Sequence, residues 1–210
     1  MDKSRLNFLL PAVAGLGVAL FIVNFPHHAA IKADSEPDFI PKCSGNFVLR
    51  SSAVTNGGAL PVEFTGDGTS STLPLEWTGA PAETKSYAVI MHHIDPQGKT
   101  KWYWTLYNIP ANFHGLPKNV AGIGTAGNNS VNGRTGYAPP HSKGPGPKTY
   151  VLTIYALAAP VEISRPPAQA NRNVLLNAMK DLILDSAELK VVYDRTGIIG
   201  RARPGENHAQ

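Results

Sequence analysis

The chain of 210 residues has little cysteine, with Cys43 as its single example. One cysteine excludes an internal disulfide framework and any zinc site that needs several thiolates. The sequence also lacks a helix-turn-helix, zinc-finger or RNA-binding signature, and its formal charge of +4 is only mildly basic. Nucleic acid is therefore not an expected partner. No internal repeat is visible along the chain.

Acidic residues are absent from a long central stretch. No Asp or Glu occurs from Pro96 through Val161, whereas the same stretch contains six basic residues: Lys99, Lys101, Lys118, Arg134, Lys143 and Lys148. A local field of one sign concentrates anions, and Gly-rich loops add backbone N–H donors. The guanidinium of Arg134 suits bidentate recognition of phosphate or carboxylate. The composition therefore predicts a site for a small anion, with solvated loop lysines as the alternative interpretation.

The N-terminus carries a different pattern. Residues 6–25 form an apolar run without a charge, behind a short basic start. This pattern predicts either an export signal within residues 1–33 or an N-terminal membrane anchor. In both cases the protein is exported, and it is either periplasmic or tethered to the membrane by residues 6–25. Residues 34–45 then read as a linker and residues 197–210 as a flexible basic tail, which leaves residues 46–196 as the domain.

The pattern within the domain is that of a β-rich protein. Gly 20 and Pro 18 indicate many turns, and a hydrophobic content of 42% is enough for a core. Residues 86–94 are apolar on both faces, which predicts a central strand, and residues 102–109 follow after a short turn as an antiparallel neighbour. On that second strand the period of two places Trp102 and Trp104 on one face and Tyr103 on the other.

Further elements are predicted on both sides of this pair. The loop over residues 110–148 has few strand or helix signals, and a loop of that length is usually functional or disordered. An apolar repeat every four residues, with Asn171 as N-cap, predicts one helix. The other predicted elements are strands over residues 47–54, 60–64, 73–77, 150–157 and 187–193, with the helix over residues 171–184.

Several motifs follow one another in a characteristic order. They are Leu73-Pro74-Leu75-Glu76-Trp77, Asp95-Pro96, Trp102-Tyr103-Trp104, Asn108-Ile109-Pro110, Gly136-Tyr137 with its Pro-rich loop, and Tyr150 to Leu157. This order resembles the phosphatidylethanolamine-binding protein family, and more narrowly its bacterial Raf-kinase-inhibitor-like branch. The resemblance covers about residues 46–196.

The resemblance implies a mainly β fold with a large central antiparallel sheet, a smaller second sheet and one or two C-terminal helices. It also implies a non-enzymatic binding protein without a metal or other cofactor. Its expected ligand is a small anionic or phosphorylated group, such as a phospholipid head group, bound in a shallow pocket. A partner protein that it regulates or inhibits is a second expected partner.

The residues expected to bind the ligand come from the matched motifs and from the strand pattern. His93 shares the period-two face of Asp95, and we hypothesise that it replaces the histidine that the family has where Tyr103 stands. Lys148 stands where the family has another histidine. The expected ligand-binding residues are Asp95, Pro96, His93, Tyr103, Arg134, Gly136, Tyr137, Pro139, Pro140, Lys148 and Tyr150.

Three other interpretations remain open at this point. A hydrolase would use Ser142 as nucleophile and His93 or His141 as base, but the chain has no Gly-x-Ser-x-Gly elbow. A metal site would need His92, His93 and His141 together, and adjacent strand residues point to opposite faces. A protein-interaction scaffold with a degenerate pocket is the third alternative. His93 could also be a core histidine bonded to the backbone.

Overall fold

The computed structural model describes residues 44–141 and 146–195. The predicted export segment or anchor, most of the linker, Ser142 and the basic tail lie outside the described residues. No helix in the described part of the chain is both long and apolar enough to cross a bilayer. The strands and the α-helix are β1 (Val48–Arg50), β2 (Gly58–Ala59), β3 (Leu75–Thr78), β4 (Ser86–Ile94), β5 (Thr100–Pro110), β6 (Gly115–Leu116), β7 (Thr125–Ala126), β8 (Lys148–Leu157), α1 (Arg172–Met179) and β9 (Ile183–Tyr193).

The strands form two sheets. The larger sheet has six strands in the order β2-β9-β8-β4-β5-β7, and its central pairs are antiparallel. Only the β2–β9 pair at one edge of this sheet is parallel. The smaller sheet has three strands in the order β1-β3-β6. The predicted architecture, a large antiparallel sheet with a smaller second sheet and a C-terminal helix, is confirmed.

Two apolar clusters hold these layers together. The first core joins one face of β4 and β8 to the small sheet, through side chains such as Met91 and Leu152 against Leu75 and Trp77. The second core joins the opposite face to α1, which contributes Leu175. β4 contributes to both cores, as expected for a strand that is apolar on both faces.

The helix is shorter than predicted. Asn171 is the N-cap, and its side chain accepts a hydrogen bond from the backbone N–H of Val174. The helix ends at Met179, and Ile183 already pairs with Leu157 as the first residue of β9. Pairing with β8 therefore overrides the four-residue apolar spacing that predicted helix to residue 184. The predicted strand over residues 60–64 is likewise replaced by a 3₁₀ turn, Val62–Phe64, behind Pro61.

A β-bulge changes the face of one aromatic residue. His92 pairs with Trp102 and Met91 pairs with Trp104, so Tyr103 is an extra residue between them. Tyr103 and Trp104 consequently both belong to the first core, and the prediction that they occupy opposite faces is wrong. The bulge is what turns the Tyr103 ring toward the end of the first core.

Candidate functional site

Aromatic side chains from three neighbouring strands meet where the first core reaches one end of these strands. His93 comes from the end of β4, Tyr103 from the bulge in β5 and Tyr150 from the start of β8. The ring centroids of His93 and Tyr150 are 5.4 Å apart, and those of Tyr103 and Tyr150 are 5.0 Å apart in an edge-to-face arrangement. We give the name tyrosine pocket to the group formed by His93, Tyr103, Tyr137 and Tyr150, where we expect a ligand to bind.

The imidazole of His93 has a defined role in this group. It is 9% exposed, and its Nδ1 lies 2.8 Å from the carbonyl oxygen of Thr149. A carbonyl oxygen only accepts, so Nδ1 carries the proton and donates. This is the core histidine bonded to backbone that the sequence left as an alternative. Nε2 is the nitrogen that remains for other contacts.

The hydroxyl of Tyr150 is the polar atom without a partner in this group. Tyr150 is 0% exposed, and its hydroxyl has no hydrogen-bond partner among the described residues. Burial raises the pKa of Tyr150 far above the ordinary phenol value, and the nearby Tyr103 raises it further. Burial raises the pKa of Tyr103 as well. Both phenols are therefore neutral O–H donors at physiological pH. Their hydroxyl groups lie near each other, but that of Tyr150 forms no hydrogen bond of normal geometry in the described residues.

Tyr137 reaches the pocket from the long loop between β7 and β8. The backbone N–H of Ala138 donates to the carbonyl oxygen of Tyr103 over 2.7 Å, which fixes the loop beside β5. The hydroxyl of Tyr137 donates to the carbonyl oxygen of Phe64 over 2.7 Å, and its ring packs edge-to-face on Trp104. Burial raises the pKa of Tyr137 well above its ordinary value. The loop predicted to be functional thus supplies one wall of the pocket.

The rim beside Tyr137 is held by the carboxylate of Asp67. Its Oδ1 accepts from Nε and Nη2 of Arg195 over 3.0 and 2.9 Å, and from Nε2 of His141 over 3.1 Å. Its Oδ2 accepts from the hydroxyl of Tyr193. We call these four residues the Asp67 network. It ties the turn after the Val62–Phe64 helix, the loop ending at His141 and the end of β9 to one another.

The pKa of Asp67 reflects these contacts. Burial alone would raise it, but the hydrogen bonds from Tyr193 and Arg195 and the charges of Arg195 and His141 hold it below 3.8. The carboxylate is therefore ionised at neutral pH. The same contacts engage the side chains of Arg195 and His141, so both already bind a carboxylate that belongs to the chain.

Several predicted site residues lie outside the tyrosine pocket. Asp95 and Pro96 belong to the β4–β5 turn, where Oδ1 of Asp95 accepts from the backbone N–H groups of Gln97 and Lys99 over 3.1 and 2.8 Å. No hydrogen bond or ion pair joins Asp95 to His93 in the described residues. The carboxylate of Asp95 thus closes the hairpin, and the expected Asp–His pair does not form.

The remaining predicted residues differ in how deeply they are buried. Pro140 is buried, and its carbonyl oxygen accepts from the backbone N–H of Gly66. Gly136 has φ of 97°, and its N–H donates to Gly127. Lys148 is half-buried at the start of β8 and pairs with Tyr193, whereas the half-buried Pro139 and the exposed Arg134 lie in the loop.

The predicted electropositive stretch is weaker than its composition suggests. Nζ of Lys118 lies 2.7 Å from Oε1 of Glu63, which precedes the acid-free stretch in the chain. This lysine is therefore paired and does not contribute to an anion site. The possible metal site is not formed either, because no group of three His, Cys, Asp or Glu side chains comes together in the described residues.

The Asp67 network was not predicted. Asp67 lies between two glycines in a loop, and its partner Tyr193 is 126 positions away along the chain. Two features of the sequence could have indicated this network. Polar residues, Tyr193 and Arg195, end the last strand, and Asp67 is the one acidic residue of its loop and has no basic residue near it in the sequence.

Comparison with known proteins identifies the family. The sequence profile of the phosphatidylethanolamine-binding protein family matches residues 50–194. The chain belongs to the phosphatidylethanolamine-binding protein family. It is 31% identical over 151 residues to a UPF0098 protein of Methanothermobacter thermautotrophicus, covering 70% of this chain and 98% of that protein. It is 35% identical over 132 residues to the UPF0098 protein YbcL of Escherichia coli, covering 57% of this chain and 69% of that protein.

Solved structures of family members have the same fold. CT736 of Chlamydia trachomatis, described as a phosphatidylethanolamine-binding protein homolog, matches with a TM-score of 0.65 and 26% identity over 72% of this chain and 99% of that chain. YbcL of Escherichia coli, described as a new member of the mammalian family, matches with a TM-score of 0.63 and 25% identity over 71% and 98%. The predicted resemblance is confirmed, and family membership supports a binding protein of this type.

Proposed function

We propose that this family member is a non-enzymatic binding protein of the cell envelope. Its ligand is a small anionic or phosphorylated group, such as a phospholipid head group, whose oxygen atoms enter the tyrosine pocket. The observation that carries the proposal is the buried hydroxyl of Tyr150. A buried donor without an acceptor costs about 1–3 kcal/mol, and a ligand oxygen at that position would remove the cost.

The chemistry around Tyr150 determines what such a ligand offers. The phenols of Tyr103 and Tyr150 are neutral donors, so the ligand supplies acceptor atoms. Nε2 of His93 is the imidazole nitrogen that the hydrogen bond to Thr149 leaves available for contact with the same group. A cation to balance a negative ligand is available in the half-buried Lys148, two residues before Tyr150 on β8. Phosphate and carboxylate oxygens fit this set of donors.

The envelope location rests on the apolar run at residues 6–25, which supports export or anchoring. Regulation of a partner protein is an additional role, which the resemblance to the family implies. The hydrolase alternative depends on Ser142, which lies outside the described residues.

The test compares Tyr150→Phe with a matched control. Tyr107→Phe removes a buried phenol from the second core, away from the tyrosine pocket. Thermal unfolding of the full chain is followed with increasing phosphorylethanolamine and, separately, with inorganic phosphate. Because the Tyr150 hydroxyl has no partner, Tyr150→Phe is expected to raise the stability of the unliganded protein by about 1 kcal/mol.

The same variant should respond less to ligand. Loss of one hydrogen bond to a charged group weakens binding by a factor of about 10. Tyr107→Phe should keep the response of the wild type. An absent response in the wild type, or a Tyr150→Phe response equal to that of the wild type, would refute the proposed pocket.

A further inference from the structure

Exposed apolar side chains gather at one end of the large sheet. Three large apolar residues are exposed in the described part of the chain, and two of them, Ile94 and Val131, are 57% and 51% exposed at this end. Trp102 lies between them and is half-buried. Exposed apolar side chains that cluster, and are not scattered singly, mark a candidate contact site.

The register of the strands places these residues side by side. Ile94 pairs with Thr100 and His92 pairs with Trp102, so Ile94 and Trp102 are diagonal neighbours on one face. Ser130 exchanges two hydrogen bonds with the backbone of Trp102, and Val131 follows it directly. We call residues 94–102 and 129–134 the β4–β5 tip.

The segment around Val131 is firmly held. Oδ1 of Asn129 accepts from the backbone N–H groups of Val131 and Asn132, each over 3.0 Å, and the N–H of Asn129 donates to the carbonyl oxygen of Arg134. The indole N–H of Trp102 donates to the carbonyl oxygen of Asn128. The exposed side chains are therefore presented by a rigid turn, which lowers the entropy cost of placing them in a partner.

The charges of the β4–β5 tip have one dominant sign. Its basic residues, Lys99, Lys101 and Arg134, are all exposed, and no ion pair involves them in the described residues. Its one acidic residue is Asp95, whose Oδ1 is occupied by two backbone N–H groups of the turn. A partner that is negatively charged at its surface and apolar beneath would match both properties.

We propose that the β4–β5 tip docks the folded domain on an anionic lipid bilayer. Ile94 and Val131 enter the boundary between head groups and acyl chains, and Trp102 lies at head-group level, where tryptophan is enriched. The three basic residues contact anionic head groups, each strengthening attachment about fivefold. The apolar part of the tip consists of three side chains, whereas a stable protein interface buries about 1,000 Å² or more, so we assign the tip to a bilayer and not to a protein partner.

This contact is separate from the proposed ligand pocket and from the N-terminal run. His93 is in the pocket and Ile94 is in the tip, and adjacent strand residues face opposite sides of the sheet. The experiment must therefore report on the tip itself, because the apolar N-terminal run can bring the full chain to a membrane by another route.

A site-specific label provides that report. Full-length protein carrying Cys43→Ser and Val131→Cys is labelled with an environment-sensitive fluorophore and mixed with phosphatidylcholine vesicles, with or without about 30% phosphatidylglycerol. The matched control is Val62→Cys, another exposed valine, 42% exposed, in a different part of the fold next to Glu63. Lipid-attached quenchers measure depth in both labelled proteins.

The fluorescence emission of the label at position 131 should shift to shorter wavelength and be quenched by the lipid-attached quenchers on anionic vesicles only. The emission of the label at position 62 should not change. High salt should reverse the effect, and Lys99→Gln, Lys101→Gln and Arg134→Gln should each weaken it about fivefold. Equal responses at both positions, a response on neutral vesicles, or none on anionic vesicles would overturn the proposal. Loss of the response in Tyr150→Phe would also overturn it, by assigning the contact to head-group binding in the pocket.

Discussion

Replacement of Asp67 by asparagine tests whether the Asp67 network holds the rim of the pocket. The substitution keeps the shape of the side chain and removes its charge. Asparagine retains one acceptor oxygen, but its amide nitrogen then faces a donor, either the hydroxyl of Tyr193 or the guanidinium of Arg195. At least one charge-assisted hydrogen bond is lost and one donor is left without an acceptor.

The expected loss follows from the contacts. A hydrogen bond to a charged group contributes about 1.5–3 kcal/mol when it is shielded from water. The side chains of Asp67 and Arg195 are 22% and 31% exposed, and that of His141 is 44% exposed, so solvent screens all of these contacts and the imidazole contact most. We expect a net destabilisation of about 2 kcal/mol, which lowers the melting temperature of a domain of this size by about 4–8 °C.

The assay is thermal unfolding of the wild type, Asp67→Asn and the control Asp181→Asn across pH. Asp181 is exposed, so its substitution should change stability by less than about 0.5 kcal/mol. Since the pKa of Asp67 is lowered in the folded state, its contribution is present above pH 3.8 and is lost as pH falls below that value. Equal stability of wild type and Asp67→Asn at neutral pH, or a difference that grows in acid, would refute the reasoning.

Two further predictions concern stability. Asn108 has φ of 56°, and its side chain forms hydrogen bonds with both the N–H and the carbonyl oxygen of Val161. Asn108→Ala should therefore lower the free energy of unfolding by about 2–3 kcal/mol in urea unfolding, and Asn108→Gly by less, because glycine adopts a positive φ without strain. Equal losses in the two variants would exclude a contribution from the backbone conformation. Burial raises the pKa values of Tyr103, Tyr137 and Tyr150, so the stability of the protein should fall as pH rises above 10. The phenolate absorbance of these residues should appear only when the protein unfolds. Phenolate absorbance that appears before unfolding would contradict this prediction.

The central part of the fold was predictable because its signals are local. β4 is apolar on both faces, β5 follows after a short turn, and Asn171 caps the helix. The two-residue strands β2, β6 and β7 carry no pattern of their own, since each exists only by pairing with a longer strand. Residues 183–186 have helical apolar spacing and are drawn into β9 by β8. Pairing between strands that are distant in the sequence therefore accounts for most of the differences between the predicted and the observed elements.

The candidate site likewise contains residues that the sequence predicted and residues that it did not. The family motifs predicted Tyr103, Tyr137 and Tyr150, and these residues lie together. Asp67 could not be found from sequence, because its partners lie far along the chain. The acid-free stretch was over-interpreted for the same reason, since counting charges along the chain misses the Glu63 that neutralises Lys118.

The residues that depart from the family pattern form a consistent arrangement in the folded protein. Where the family pattern has histidine, Tyr103 packs on Tyr150, and burial keeps both phenols neutral. A Cβ on Gly66 would lie 2.8 Å from that of His141, so a glycine at position 66 lets the His141 loop approach Asp67. The side chains of Arg195 and His141 at the rim are thereby bound to a carboxylate of the chain itself, and the interior offers uncharged donors. Recognition in this pocket accordingly depends on where the ligand places its acceptor oxygens more than on its net charge.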